Sequence, residues 1–250
     1  MLSRWFSNLF ILLHILVHIF RCIGMLLRHR IIGGPQWHYG EKGKEAIRRW
    51  MDRMRQILNV DIEIDGQPSR QTVLLVANHL SWLDIIVLSS VYPYVFLAKH
   101  EIKRWPIVGF MSSISGTLFI RRASVRSLKQ SVDDIRDTLA QGRSVAIFPE
   151  GTTTRGNELL PFKNGLFDAA ISSSVAIQPV AIQYVRRGKQ DKAATYAEDD
   201  HFLVSIFKQI REGALTTRLT FLDEIPAAEN RRSLAEQSQE RIARFLFPTR

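Results

Sequence analysis

The sequence predicts an α/β fold, a mixed and largely parallel central sheet flanked by helices, with an N-terminal membrane-anchoring helix. Three observations carry that expectation. A 19-residue apolar run lies near the N-terminus, at residues 9–27. From about residue 61, short β-rich runs alternate with stretches of helical periodicity. The 250 residues are 46% hydrophobic and 23% charged, an ordinary globular composition that supports one sizeable core.

Residues 9–27 read LFILLHILVHIFRCIGMLL, long enough to cross a bilayer. His14, His18 and Arg21 interrupt the run, so a helix lying in the interface or buried on the domain is the alternative. Arg28-His29-Arg30 follow, and no small-x-small site precedes them, which favours an anchor over a cleaved signal. By the positive-inside rule this basic flank places the following chain in the cytoplasm, at the inner face of the membrane. Gly33-Gly34-Pro35 breaks the helix, giving an anchor over 1–34.

A basic amphipathic segment follows over 35–60. Ile47, Trp50, Met51, Met54, Ile57 and Leu58 share one face of a helix over about 43–58, and Arg48, Arg49, Arg53 and Arg55 line the other. That pattern suits packing on the domain, lipid head groups, or both. Residues 61–250 form the main domain. Its β-rich runs are 72–77, 94–98, 117–120, 144–148, 176–184 and 217–222. Val125, Leu128, Val132, Ile135 and Leu139 make one face of a helix that Gly142 stops. A last helix is expected over 231–246, and the polar stretch 186–200 reads as a surface loop.

The net charge of +10 points to a polyanionic partner. Ten basic residues stand against three acidic ones within residues 1–58, beside the most apolar segment. Lipid is therefore favoured over nucleic acid, and no zinc-finger spacing or RNA-reading strand pair is present. Cys22, the only cysteine, precludes an intramolecular disulfide.

Two constellations carry chemistry. Asn78-His79-Leu80-Ser81-Trp82-Leu83-Asp84 follows the run 72–77, which places His79 on a turn at a strand's carboxyl end. His79 and Asp84 would diverge on a continuous helix. If the helix starts near Ser81, Asp84 can accept the imidazole Nδ1–H and leave Nε2 to remove a proton. Alternatively, Ser81-x-x-Asp84 resembles a capping box, and Asp84 only caps a helix. The second constellation, Phe148-Pro149-Glu150-Gly151-Thr152-Thr153-Thr154-Arg155-Gly156, follows the run 144–148. Its glycine permits close approach, and its arginine offers a planar fork suited to phosphate.

Together these blocks resemble the 1-acyl-sn-glycerol-3-phosphate acyltransferase (lysophosphatidic acid acyltransferase) family of glycerolipid acyltransferases. The family's His-x4-Asp motif is met by His79 and Asp84, and its Glu-Gly-Thr…Arg motif by Glu150, Gly151, Thr152 and Arg155. Between them, Gly116, Phe119, Ile120 and Arg122 match Gly-x-x-Phe-Ile-x-Arg, with Arg121 adjacent, and Ile177-Gln178-Pro179-Val180 resembles the final motif. The match covers roughly residues 70–185. The resemblance implies His79 as base and Asp84 as its orienter. It implies Arg155 with Arg121 or Arg122 on the acceptor phosphate, and Glu150, Gly151 and Thr152 in acceptor binding. Lys99 belongs either to that anionic patch or to solvent.

The reaction expected is direct transfer of an acyl group from acyl-CoA or acyl carrier protein to the hydroxyl of 1-acyl-glycerol-3-phosphate, giving phosphatidic acid. No metal and no further cofactor is expected, because no Walker loop, dinucleotide fingerprint or His-Glu-x-x-His occurs. Ser81, close to His79, is the candidate nucleophile of an alternative covalent route. A backbone amide near Gly151 or on the His79 turn is the candidate oxyanion donor. Membrane lipids, the lysophospholipid acceptor and the acyl carrier are the expected partners. The alternatives are the same chemistry on a lyso-ornithine lipid or another lysophospholipid, a lipid hydrolase, and a non-catalytic lipid-binding protein.

Overall fold

The structure is a computed structural model that describes residues 2–34, 36–121, 125–196, 200–227 and 230–248. Among the described residues eight strands form one sheet: β1 Val60–Asp65, β2 Leu74–Ala77, β3 Val95–Lys99, β4 Leu118–Ile120, β5 Val145–Ile147, β6 Ile177–Arg186, β7 Lys189–Gln190 and β8 Leu215–Phe221. Their order is β1-β8-β6-β2-β5-β3-β4, with β7 paired to β6. Five pairings are parallel; only β6–β8 and β6–β7 are antiparallel. The sheet is thus mixed and mostly parallel, as expected.

The helices are α1 Leu2–Gly33, α2 Glu41–Ile57, α3 Leu83–Val91, α4 Val108–Ile114, α5 Val125–Ala140, α6 Asp168–Ser173, α7 Phe202–Glu212 and α8 Arg231–Leu246. They flank both faces of the sheet, which is why the central strands are apolar throughout rather than alternating. On β2, Leu75 and Ala77 enter one core with α2, α3 and α7, while Leu74 and Val76 enter the other with α5, α6 and α8. At the edge, β1 alternates Val60, Ile62 and Ile64 with Asp61, Glu63 and Asp65; these charges guard an exposed strand.

Helix α1 extends beyond the expected run at both ends. Asn8–Gly33 has a mean hydropathy of 2.2 over its best window and is long and apolar enough to cross a membrane. One of its faces nevertheless packs on the domain. Ile15, Cys22 and Leu26 are buried, and His18 stacks on Trp50 of α2 and bonds its carbonyl at 3.0 Å. The opposite stripe, including Leu9, Leu13, Leu16 and Phe20, is exposed. Elsewhere the sequence reading was incomplete. The stretch 186–200 is not all loop: β6 runs into it and turns back as β7, and α4, α6 and α7 are additional helices.

Candidate active site

Strands β2, β5, β3 and β4 are neighbours and parallel, so their carboxyl ends meet along one edge. Each expected site segment leaves from that edge: His79 after β2, Glu150 after β5, Lys99 at the end of β3 and Arg121 after β4. Strand spacing of about 4.8 Å sets Lys99 two strands, or roughly 10 Å, from the His79 turn.

The His79 turn is fixed on every side. Asn78 is buried and exchanges two hydrogen bonds with Ile182 of β6: its Nδ2 donates to the Ile182 carbonyl at 3.0 Å and its Oδ1 accepts from the Ile182 amide at 2.8 Å. The His79 amide donates to Glu150 Oε1 at 2.8 Å, and the His79 carbonyl accepts from the Thr154 amide at 2.9 Å. Phe148 lies parallel to the imidazole, with ring centroids 3.9 Å apart.

Asp84 stands in the first turn of α3, fully buried. Its Oδ2 accepts from His79 Nδ1 at 2.8 Å, from the Leu80 amide at 2.7 Å and from the Ser81 amide at 3.0 Å. Its Oδ1 accepts from the Tyr184 hydroxyl at 2.5 Å. One carboxylate thus ties the chain entering α3 and also engages the imidazole. Because a carboxylate accepts, Nδ1 carries the proton and Nε2 is left to accept one. The His79 side chain keeps 18% of its exposure, so the ring is reachable from solvent.

Glu150 is nearly inaccessible and lies beneath the turn. One oxygen accepts from the His79 amide and the other from the Leu160 amide at 2.9 Å. Burial pushes its carboxyl up to about 7, against the two amide bonds, which pull it down. Both oxygens are occupied by backbone, so Glu150 shapes the site from below. Gly151 takes φ +77°, and a Cβ there would lie 2.8 Å from Lys163 Nζ. Lys163 is an exposed cation over the motif that no pattern in the sequence announces.

The expected oxyanion donors are otherwise engaged. The His79, Leu80 and Ser81 amides serve Glu150 and Asp84, and the Gly151 amide donates to the Phe148 carbonyl at 3.0 Å. Arg155 Nη1 pairs with Asp200 at 2.9 Å and also points to the Thr195 carbonyl. Arg121 donates to His100 Nε2 at 3.0 Å in an exposed position. Thr152 is half-buried beside Gly151, and Lys99 is exposed. Arg122 lies outside the described residues. Among the described residues, no three His, Cys, Asp or Glu side chains converge as a metal site. The sequence reading missed Tyr184, Phe148 as a ring partner, and Lys163.

These features place a histidine–carboxylate pair at the carboxyl edge of an α/β sheet, in a chain whose first helix is long and apolar enough to cross a membrane. The chain belongs to the acyltransferase family: that family's model matches residues 54–183. It is 38% identical over 209 residues to a lyso-ornithine lipid O-acyltransferase of Pseudomonas aeruginosa, covering 82% of this chain and 80% of the relative. It is also 38% identical over 191 residues to a 1-acyl-sn-glycerol-3-phosphate acyltransferase of Neisseria meningitidis, covering 74% of each. The fold matches the crystal structure of the 1-acyl-sn-glycerophosphate (LPA) acyltransferase PlsC from Thermotoga maritima, with a TM-score of 0.70 at 19% identity, covering 98% of this chain and 95% of that one.

Proposed function

We propose that the protein transfers a fatty acyl group from an acyl thioester, acyl-CoA or acyl carrier protein, to the free hydroxyl of 1-acyl-glycerol-3-phosphate, giving phosphatidic acid at the inner face of the membrane. The observation that supports this reading is the shared sheet edge, from which the segments carrying His79, Lys99, Arg121 and Arg155 all leave, with Lys163 over Gly151. His79 Nε2 takes the hydroxyl proton as the acceptor oxygen attacks the thioester carbonyl. The carbon–sulfur bond then breaks, and the thiolate leaves and takes the proton from the imidazolium. Asp84 holds the ring in the required tautomer and stabilises its charged form. The cations hold the acceptor's phosphate and lower the potential felt by an anionic carrier.

The test is thiol release from an acyl-CoA by the detergent-purified protein, with and without lysophosphatidic acid, alongside His79→Ala. Release that requires the acceptor and is lost in the variant supports the reading. Release without acceptor that still needs His79 makes the protein a hydrolase, and full turnover by folded His79→Ala removes the mechanism.

A second reading, transfer to a lyso-ornithine lipid, is favoured by the Arg155–Asp200 pair. A head group bearing both a carboxylate and an ammonium can engage the two side chains together, whereas a phosphate monoester must meet Arg155 with an anion already on it. Asp200→Asn separates the readings. It raises kcat/KM for lysophosphatidic acid if the acceptor is a phosphate, and lowers it for the amino-acid lipid if Asp200 reads the ammonium.

A further inference from the structure

Helix α7 is amphipathic, but its outward face is not polar. Ile206, Gln209 and Ile210 face the domain, while Leu203, Val204 and Phe207 are 67%, 59% and 53% exposed. Beside it, Trp105, Ile107 and Phe110, before and within α4, are exposed as well. Both α4 and α7 pack against α1, so these surfaces continue the exposed apolar stripe of the anchor. Lys103, Arg104 and Arg211, all exposed, border the patch. A contiguous apolar patch rimmed by cations is what an anionic bilayer interface takes up.

The same elements reach the reaction centre. Trp82, three residues past His79, donates its indole N–H to Ser205 Oγ of α7 at 2.9 Å. Its ring meets Phe202 at 5.6 Å, and Phe202 meets Trp105 at 5.2 Å. An aromatic path therefore joins the apolar patch to the His79 turn.

We infer that the outward face of α7, with Trp105, Ile107 and Phe110, is a second membrane-docking surface. Together with α1 it seats the His79 edge on the bilayer, so that acyl chains approach along Trp105, Phe202 and Trp82 without leaving lipid. The occupant is the lipid surface itself, because the patch is continuous with the anchor and fringed by positive charge. The inference rests on the lipid-acceptor reading only for the route of entry; the docking itself is read out without turnover.

The test uses the full chain in a Cys22→Ser background, with a bimane label at Val204→Cys, Leu13→Cys or Glu236→Cys. Vesicles contain phosphatidylcholine and phosphatidylglycerol, with or without brominated acyl chains. Docking predicts that bimane at 204 is blue-shifted and quenched by bromolipid, as at 13, while the label at 236 on α8 is not. An unquenched label at 204 beside a quenched label at 13 overturns the proposal. So does a blue shift at 204 that depends on protein concentration without vesicles, which would assign the patch to a second copy of the chain. In parallel, Leu203→Ser/Phe207→Ser lowers kcat/KM on vesicle-borne acceptor at least tenfold and leaves turnover of a short-chain, monomeric acceptor unchanged. An equal loss on both acceptors assigns the patch to structure and also overturns the proposal.

Discussion

Replacing Tyr184 by phenylalanine removes one oxygen from a buried position, and the consequence can be worked out from the geometry. Tyr184 is buried in β6 and gives its proton to Asp84 Oδ1 at 2.5 Å. Burial first, and the neighbouring carboxylate second, hold the phenol well above its ordinary pKa, so it remains a donor. A hydrogen bond to a charged group is worth about 1.5–3 kcal/mol, and Tyr184→Phe leaves Oδ1 buried without that donor. For a chain of this size each kcal/mol moves Tm by about 2–4 °C, so a fall of roughly 3–12 °C is expected. The second consequence is specific to the dyad. With one donor fewer, the Asp84 carboxylate is held only through the three groups at Oδ2, one of them His79 Nδ1, so the ring is oriented less firmly. If about 1.4 kcal/mol of the lost bond is felt in the transition state, kcat/KM falls about tenfold. The assay is thiol release together with thermal unfolding. A folded Tyr184→Phe protein that loses Tm but keeps wild-type kcat/KM would refute the coupling of the phenol to His79 through Asp84.

Three further outcomes follow from the same site. Glu150 has a folded-state pKa of about 7, above the ordinary carboxylate value, so its protonated form favours the fold; that contribution is fully present below about pH 4.5 and is lost as pH rises through 7. Relative to Glu150→Gln, wild type should lose Tm between pH 5 and 8, and a flat difference would contradict the buried placement. Gly151→Ala forces a side chain onto φ +77° and against Lys163 Nζ, which can swing aside; a cost of about 1 kcal/mol is expected from the backbone, seen as a drop in Tm of about 2–4 °C. Ser81 is wholly buried, so Ser81→Ala should leave turnover within about threefold, and trapping of an acyl-enzyme on Ser81 would reverse the direct-transfer reading.

Much of this architecture could be read from local patterns. The alternation of apolar runs with helical faces gives the parallel sheet, and the position of His79 after one such run gives the functional edge. What could not be read depends on partners distant in sequence. Tyr184 meets Asp84 across 100 residues, and Glu150 meets the His79 amide across 71; neither spacing leaves a trace in a window. Helix α7 escaped for a different reason. Its apolar residues Phe202, Leu203, Ile206, Phe207 and Ile210 do recur at helical spacing, but the run covers only eleven residues and no capping side chain marks its start after the polar stretch. The pairing of Arg155 with Asp200 is also invisible in sequence, because the short polar stretch between β7 and α7 has no regular pattern of its own.

Why the His79 ring is so firmly held follows from the cost of burying a charge. An ionised carboxylate with no access to water is tolerated only when its lone pairs are filled. At Asp84 two backbone amides and a phenol do most of that, and all three are set by elements of the fold: the turn after β2, the start of α3 and the middle of β6. The imidazole then completes the shell, so the charge that the fold has already stabilised is the charge that orients His79. The amide of His79 is in turn held by Glu150 from β5, and its ring by Phe148 from the same strand end. Rotating the ring away from Asp84 would therefore take one of three donors from Oδ2 and lose a stacking partner as well. In the proposed mechanism this is the arrangement that proton transfer needs, with Nε2 the ring nitrogen left for the acceptor hydroxyl.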